Sequence, residues 1–227
     1  MRKDVDLRRL VGHDVLDQGS RPTCVAFATS AAHEALQDGQ SNPTQHLAPE
    51  ALWWQATAAG NTSNKGMILN NIGSALSGHG QPDLISWPYN LSLGAGTEGP
   101  PAGLDEPPWR RARLKNVPLH HDGIENLLED ELARSRPVVL IVEVTDEFHV
   151  PGDDGIVAIP DVRATAGGYH AVTCVGAASH PVQGRLLLIK NSWGTVWGLG
   201  GYCWLPMEYL IGFAVQAATI DDVIKES

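Results

Sequence analysis

Gln18-Gly19-Ser20-Arg21-Pro22-Thr23-Cys24-Val25-Ala26-Phe27-Ala28 sets a cysteine at the expected start of a helix and a glutamine six residues before it. Pro22 and Thr23 suit a helix start, alanine and leucine fill the segment to residue 38, and Gly39 suits its stop. A thiol attacks as thiolate, and the first turn of a helix favours that form through its partial positive charge and free N–H groups. Gln18 can reach over the same spot and donate to an oxyanion.

Two later segments complete a catalytic set. Gly168-Tyr169-His170-Ala171-Val172 carries a histidine at the start of an apolar run, and Leu188-Ile189-Lys190-Asn191-Ser192-Trp193-Gly194 carries an asparagine at the end of one. The expected roles are Cys24 as nucleophile, His170 as its acid–base partner, Asn191 as orienter of the imidazole, and Gln18 with the Cys24 N–H as oxyanion donors. An imidazolium beside the helix N-terminus is expected to bring the thiol pKa to about 3.5–7.5.

In this order and spacing the segments resemble the papain family of cysteine peptidases, over roughly Asp14 to Tyr209. Asn64-Lys65-Gly66 and Trp87-Pro88-Tyr89 resemble the family's substrate-wall segment and Pro-Tyr landmark. The resemblance implies that Gly66 presents its backbone to an extended peptide or protein substrate. It also implies that Met67 and Ala171 line an apolar pocket and that Trp193 shields the histidine–asparagine bond. Extracellular members carry several disulfides, one of which begins where Arg21 stands here. Val25, Pro22 and Lys65 depart from the family's usual residues without removing a catalytic group.

The expected architecture follows from texture. Helices are expected at residues 24–38, 49–59, 67–76 and 124–133, the last with Ile124, Leu127, Leu128 and Leu132 on one face. Gly94 to Pro108 reads as a long irregular loop. Strands are expected at residues 138–144, 156–159, 170–175, 185–190 and 202–205. Helices first and antiparallel strands second is an α+β signature. The resemblance makes this one papain-like domain over residues 1–227. Its helical lobe covers about 14–116 and a β-barrel-like lobe about 117–227, with the cleft between.

The chain has 227 residues, 43% of them hydrophobic, and a formal net charge of -10. That size supports a proper core. Acidic balance argues against nucleic acid and anionic membrane as partners, and no apolar run approaches membrane-spanning length. No cofactor and no metal are expected; a site from His120, His121 and Asp122 lacks a second ligand cluster at zinc-like spacing. With three cysteines and no secretory signal the chain reads as cytoplasmic, Cys174 and Cys203 being buried small hydrophobes or a disulfide. The expectation is a disulfide-poor, bacterial-type member without a pro-segment. Restraint would then come from an inhibitory or targeting protein, a narrow substrate range, the Gly94 to Pro108 loop or the tail after Ala218. Cysteine peptidase is the leading reading. A thiol acyltransferase (ligase, cyclase or deamidase) on the same residues is the first alternative, and an inactive peptide-binding module the second.

Overall fold

The computed structural model describes residues 2–12, 14–36, 45–60, 66–119, 123–161 and 168–224. Among the described residues a short strand and a 3-10 turn are followed by three α-helices, α1 (Cys24–Glu34), α2 (Pro49–Ala58) and α3 (Leu69–Gly78). Every residue of α1 is buried, as suits a helix apolar or small on all sides. α2 starts on a proline, whose missing N–H costs nothing there. α3 buries Leu69, Ile72, Ala75 and Leu76, one face at helical spacing. Its Gly73 allows close approach, since a Cβ there would sit 2.9 Å from Leu114 Cδ1.

Seven strands form one sheet: β1 (Val5–Asp6), β2 (Arg111–Asn116), β3 (Val138–Glu143), β4 (Tyr169–His180), β5 (Gly184–Lys190), β6 (Tyr202–Pro206) and β7 (Ala214–Ile224). The order is β2-β7-β3-β4-β5-β6, each pair antiparallel, with β1 added to the far end of β4. Short helices α4 (Ile124–Ala133), α5 (Asp146–His149) and α6 (Met207–Phe213) intervene.

This sheet corrects the expected barrel. Its path ends at β2 and β6, which do not pair with each other, so it is open. The expectation lacked β2 and β7. These two strands carry the sheet away from β6 and under α3, where Leu114 meets Gly73. Other expectations shift as well. Residues 156–159 form only an isolated bridge, Ile156 to Trp204. Asp221 and Asp222, part of the tail after Ala218 named as a source of restraint, lie in β7 opposite β2. Of the expected α4 face, Leu128 and Leu132 are buried while Leu127 is exposed; the Ile124 side chain is outside the described residues.

β3 explains how one sheet serves two cores. Val138, Leu140 and Val142 enter a core with Leu128, Leu132, Tyr209 and Leu210 from α4 and α6. Val139 and Ile141 enter another with Ala28, Leu52, Ile72 and Leu76 from the first three helices. A strand buried on both faces reads as a continuous apolar run because alternate residues face opposite sides. The second core joins the helical lobe to the sheet. Thr173 Oγ1 of β4 donates to the Ala28 carbonyl of α1 at 3.0 Å, one turn beyond Cys24.

Candidate active site

Cys24 is the first residue of α1, and Thr23 does not cap that helix with its side chain. The Thr23 hydroxyl instead pairs with the Tyr89 hydroxyl at 2.6 Å. First-turn N–H groups are therefore left for the sulfur. Burial pushes the Cys24 thiol up, and the backbone N–H groups of Ala171, Val25 and Cys24 draw it back. Because Ala171 follows His170, the sulfur lies against the start of β4.

β4 and β5 bring the other groups together. Thr173 is registered with Lys190, so β4 towards its start faces the residues just after β5. His170 Nε2 lies 2.7 Å from Asn191 Oδ1. The orientation of that amide is decided by Ser192, whose backbone N–H donates to the same Oδ1 at 2.8 Å. An acceptor shared in this way requires His170 to donate from Nε2, which leaves Nδ1 for the thiol. Trp193 stacks on the His170 ring, centroids 4.5 Å apart, and His149 stacks on Trp193 at 5.3 Å. Phe148 and Trp197 close on Trp193 at 5.8 and 5.4 Å, so the His170–Asn191 bond is buried under aromatic rings. Burial pushes His170 down to about 4, Asn191 pulls it up and the charge of His149 pushes it down.

These directions correct the expectation of a low-pKa thiol. Burial is the leading cause for both groups, raising Cys24 and lowering His170 towards the neutral thiol and imidazole. The proton then rests on the sulfur, and a neutral His170 Nδ1 is able to take it.

Gln18 is buried and held at both ends of its amide. Nε2 donates to the Arg21 carbonyl at 2.7 Å and Oε1 accepts from Ser192 Oγ at 2.6 Å. Its backbone is fixed too, the N–H donating to the Ser192 carbonyl at 2.8 Å and the carbonyl accepting from Tyr89 at 3.0 Å. One Nε2 hydrogen is taken by Arg21, which leaves the second for another acceptor.

Gly66 has φ +105°, a backbone region that an L side chain rarely enters, so the glycine answers a conformational need. Asn64 and Lys65 lie outside the described residues. Met67 and Ala171 are buried in the same apolar cluster as Cys24. Among the described residues there is no group of three metal-ligating side chains, and His120, His121 and Asp122 fall outside them. All three cysteines are free. Cys174 and Cys203 face Ile189 from strands on either side of it, too far apart for a disulfide. The sequence had assigned no role to Ser192 or Arg21, although both stand inside the quoted motifs.

A family model described as papain family cysteine protease matches residues 1–218. The chain belongs to this family. It is 25% identical over 199 residues to a cathepsin L-like proteinase of Fasciola hepatica, covering 83% of this chain and 55% of that protein. It is 26% identical over 212 residues to cysteine endopeptidase Rep1 of Oryza sativa subsp. japonica, covering 90% of this chain and 54% of the relative. The chain thus spans about half the length of the curated relatives it matches. Among solved structures, xylellain, a cysteine protease from Xylella fastidiosa, shares the fold with a TM-score of 0.77 at 22% identity, over 99% of this chain and 87% of that one. Digestive procathepsin L 3 of Tenebrio molitor larval midgut gives 0.74 at 24% identity, over 97% of this chain and 70% of that one.

Proposed function

We propose that this papain-family chain is a cysteine peptidase hydrolysing peptide bonds through a Cys24 thioacyl-enzyme. The observation that carries the reading is the doubly held Asn191 Oδ1, which commits His170 to donating from Nε2 and frees Nδ1 for the thiol. As the sulfur attacks the scissile carbonyl carbon, its proton passes to His170 Nδ1. Negative charge gathers on the carbonyl oxygen, where the second Gln18 Nε2 hydrogen and the Cys24 N–H receive it. Collapse breaks the carbon–nitrogen bond, and the Nδ1 proton goes to the leaving amine. Water then attacks the thioester, giving a proton to Nδ1. The carbon–sulfur bond breaks, and that proton returns to the sulfur.

The substrate is a peptide or protein segment in extended form, its main chain running along Gly66. No cofactor takes part in these steps. Free cysteines suit a reducing compartment, and we place this disulfide-poor chain, a bacterial-type member, in the cytoplasm. An inhibitory or targeting protein would restrain it there.

The test is labelling by a peptidyl epoxide, followed by peptide mapping and peptide turnover. Label on Cys24, with turnover abolished in Cys24→Ala, is expected. Product mass with and without an added amine separates hydrolysis from acyl transfer. Turnover persisting in Cys24→Ala would overturn the reading.

A further inference from the structure

Arg21 is a surface-type residue with no exposed surface. Its side chain and that of Glu50 are both fully buried and form an ion pair. A guanidinium has five N–H donors, and all five are used. Nε donates to the Gly94 carbonyl at 2.9 Å. Nη1 donates to Glu50 Oε2 and, at 2.9 Å, to the Asn90 carbonyl. Nη2 donates to Glu50 Oε1 at 3.1 Å and to the Gly96 carbonyl at 2.9 Å. Thr97 Oγ1 donates to the same Glu50 Oε1 at 3.0 Å, and the Tyr89 ring lies 4.4 Å from the guanidinium carbon.

A buried pair costs several kcal/mol in desolvation and is weak evidence for stability. What it provides here is position. The turn 19–22 has one buried side chain, Arg21, and the Arg21 carbonyl is the acceptor for Gln18 Nε2. Gln18 has three rotatable side-chain bonds. Ser192 Oγ fixes its oxygen and the Arg21 carbonyl fixes its nitrogen. If that carbonyl moves, the second Nε2 hydrogen no longer points at the oxyanion.

We propose that Arg21 is a positioning residue for the oxyanion hole. Its five-bond lock onto Glu50 and the 90–96 segment aims the Gln18 amide through the Arg21 carbonyl. This rests on the peptidase reading of Gln18. Seating of the Asn90 to Thr97 segment is thereby coupled to turnover, although that segment supplies no reacting group.

The test is a double-mutant cycle on the full chain, with turnover and epoxide labelling both measured. Arg21→Lys keeps the charge but has three donors and no planar fork. Turnover should fall about ten- to a hundredfold, short of the roughly 100- to 1,000-fold expected when the oxyanion donor itself is removed. Epoxide labelling of Cys24 should hold within about twofold, because ring opening passes through no tetrahedral carbonyl adduct and its alkoxide takes the proton held by His170. In a Gln18→Ala background Arg21→Lys should cost nothing further. Equal losses in both backgrounds, or labelling falling with turnover, would show a general structural role and overturn the inference. Should Arg21→Lys fail to fold, Thr97→Val removes only the hydroxyl donated to Glu50 and carries the same cycle at smaller amplitude. A parent chain that labels and turns over while the cycle is additive defeats this inference alone. A parent that does neither defeats the peptidase reading and this inference with it.

Discussion

Ser192 Oγ donates to Gln18 Oε1 at 2.6 Å, while the backbone N–H of the same residue donates to Asn191 Oδ1 at 2.8 Å. One residue thus orients two amides, the imidazole's partner with its backbone and the proposed oxyanion donor with its side chain. Ser192→Ala separates them, since only the hydroxyl is lost. A buried acceptor left without a donor costs about 1–3 kcal/mol, and Gln18 can escape that cost by turning away. Turnover is expected to fall about tenfold while epoxide labelling of Cys24 stays close to the parent's. A parallel fall in labelling would mean that the hydroxyl supports His170 as well.

The pH profile of initial rates should be a wide bell. His170 is pushed down to about 4, chiefly by burial, and Cys24 is pushed up by the same cause. Below the lower value the pair holds two protons and the imidazole cannot accept another. Above the upper value it holds none, and no proton remains for the leaving amine. Between the limits one proton is shared, and the apparent values belong to the pair. The acid limb of turnover is expected near pH 4, where the imidazole loses its proton and can act as base. A turnover limb that rises only with ionisation of a free thiol, about pH 8.5, would contradict the pairing.

The proposed catalytic set was legible because its chemistry depends on residue type at short spacings. Gln18 and Cys24 share one loop, and His170 and Asn191 sit at the ends of two runs that the β4–β5 register brings together. The open sheet was not. β2, Arg111-Ala112-Arg113-Leu114-Lys115-Asn116, is rich in charge, and β7 opens on Ala214-Val215-Gln216-Ala217-Ala218. Neither has the composition of a strand; each becomes one by pairing with a distant partner, and such pairing overrides local propensity. Arg21 was equally opaque, since its partners Glu50, Asn90, Gly94 and Gly96 are distant in sequence. The resting charge of the pair depended on burial, which a local motif does not contain.

Acid should destabilise the fold through a second histidine. His33 of α1 is fully buried, its Nδ1 lies 2.9 Å from Gln81 Nε2, and burial pushes it down to about 3, with the Arg110 charge adding to the effect. Gln81 Nε2 is a donor, so Nδ1 accepts and the imidazole is neutral. A folded pKa below the unfolded one means that the unfolded chain binds more protons. The stabilisation is complete above about pH 6.5 and is lost progressively as pH falls through that value towards 3. At pH 5 the loss is on the order of 2 kcal/mol for such a group. Urea unfolding at pH 7 and pH 5 should show that loss in the parent, and a smaller one in His33→Gln. An unchanged pH dependence in His33→Gln would assign the acid sensitivity elsewhere.

Gln18 and Asn191 are both buried amides beside the same serine, yet they should fail in different ways. In the proposed mechanism Gln18 acts on an oxyanion that exists only along the reaction path, while Asn191 bonds His170 in the resting structure. Gln18→Ala should lower turnover on the order of 100- to 1,000-fold, about 3–4 kcal/mol, and leave epoxide capture near the parent rate. Its melting temperature should fall only modestly: the Arg21 carbonyl and the Ser192 hydroxyl each lose a partner, while the loop keeps its backbone bonds from Gln18 to Ser192 and Tyr89. Asn191→Ala removes the acceptor that sets the His170 tautomer, so both turnover and capture should fall. Trp193 would still stack on the imidazole and retain it near the site without fixing which nitrogen faces the sulfur. The measurement is a pair of rates, turnover and capture, on each variant, with the melting temperature of each. If Gln18→Ala lost both rates in parallel, or melted well below the parent, Gln18 would be a structural residue and the oxyanion role would pass to backbone N–H groups alone.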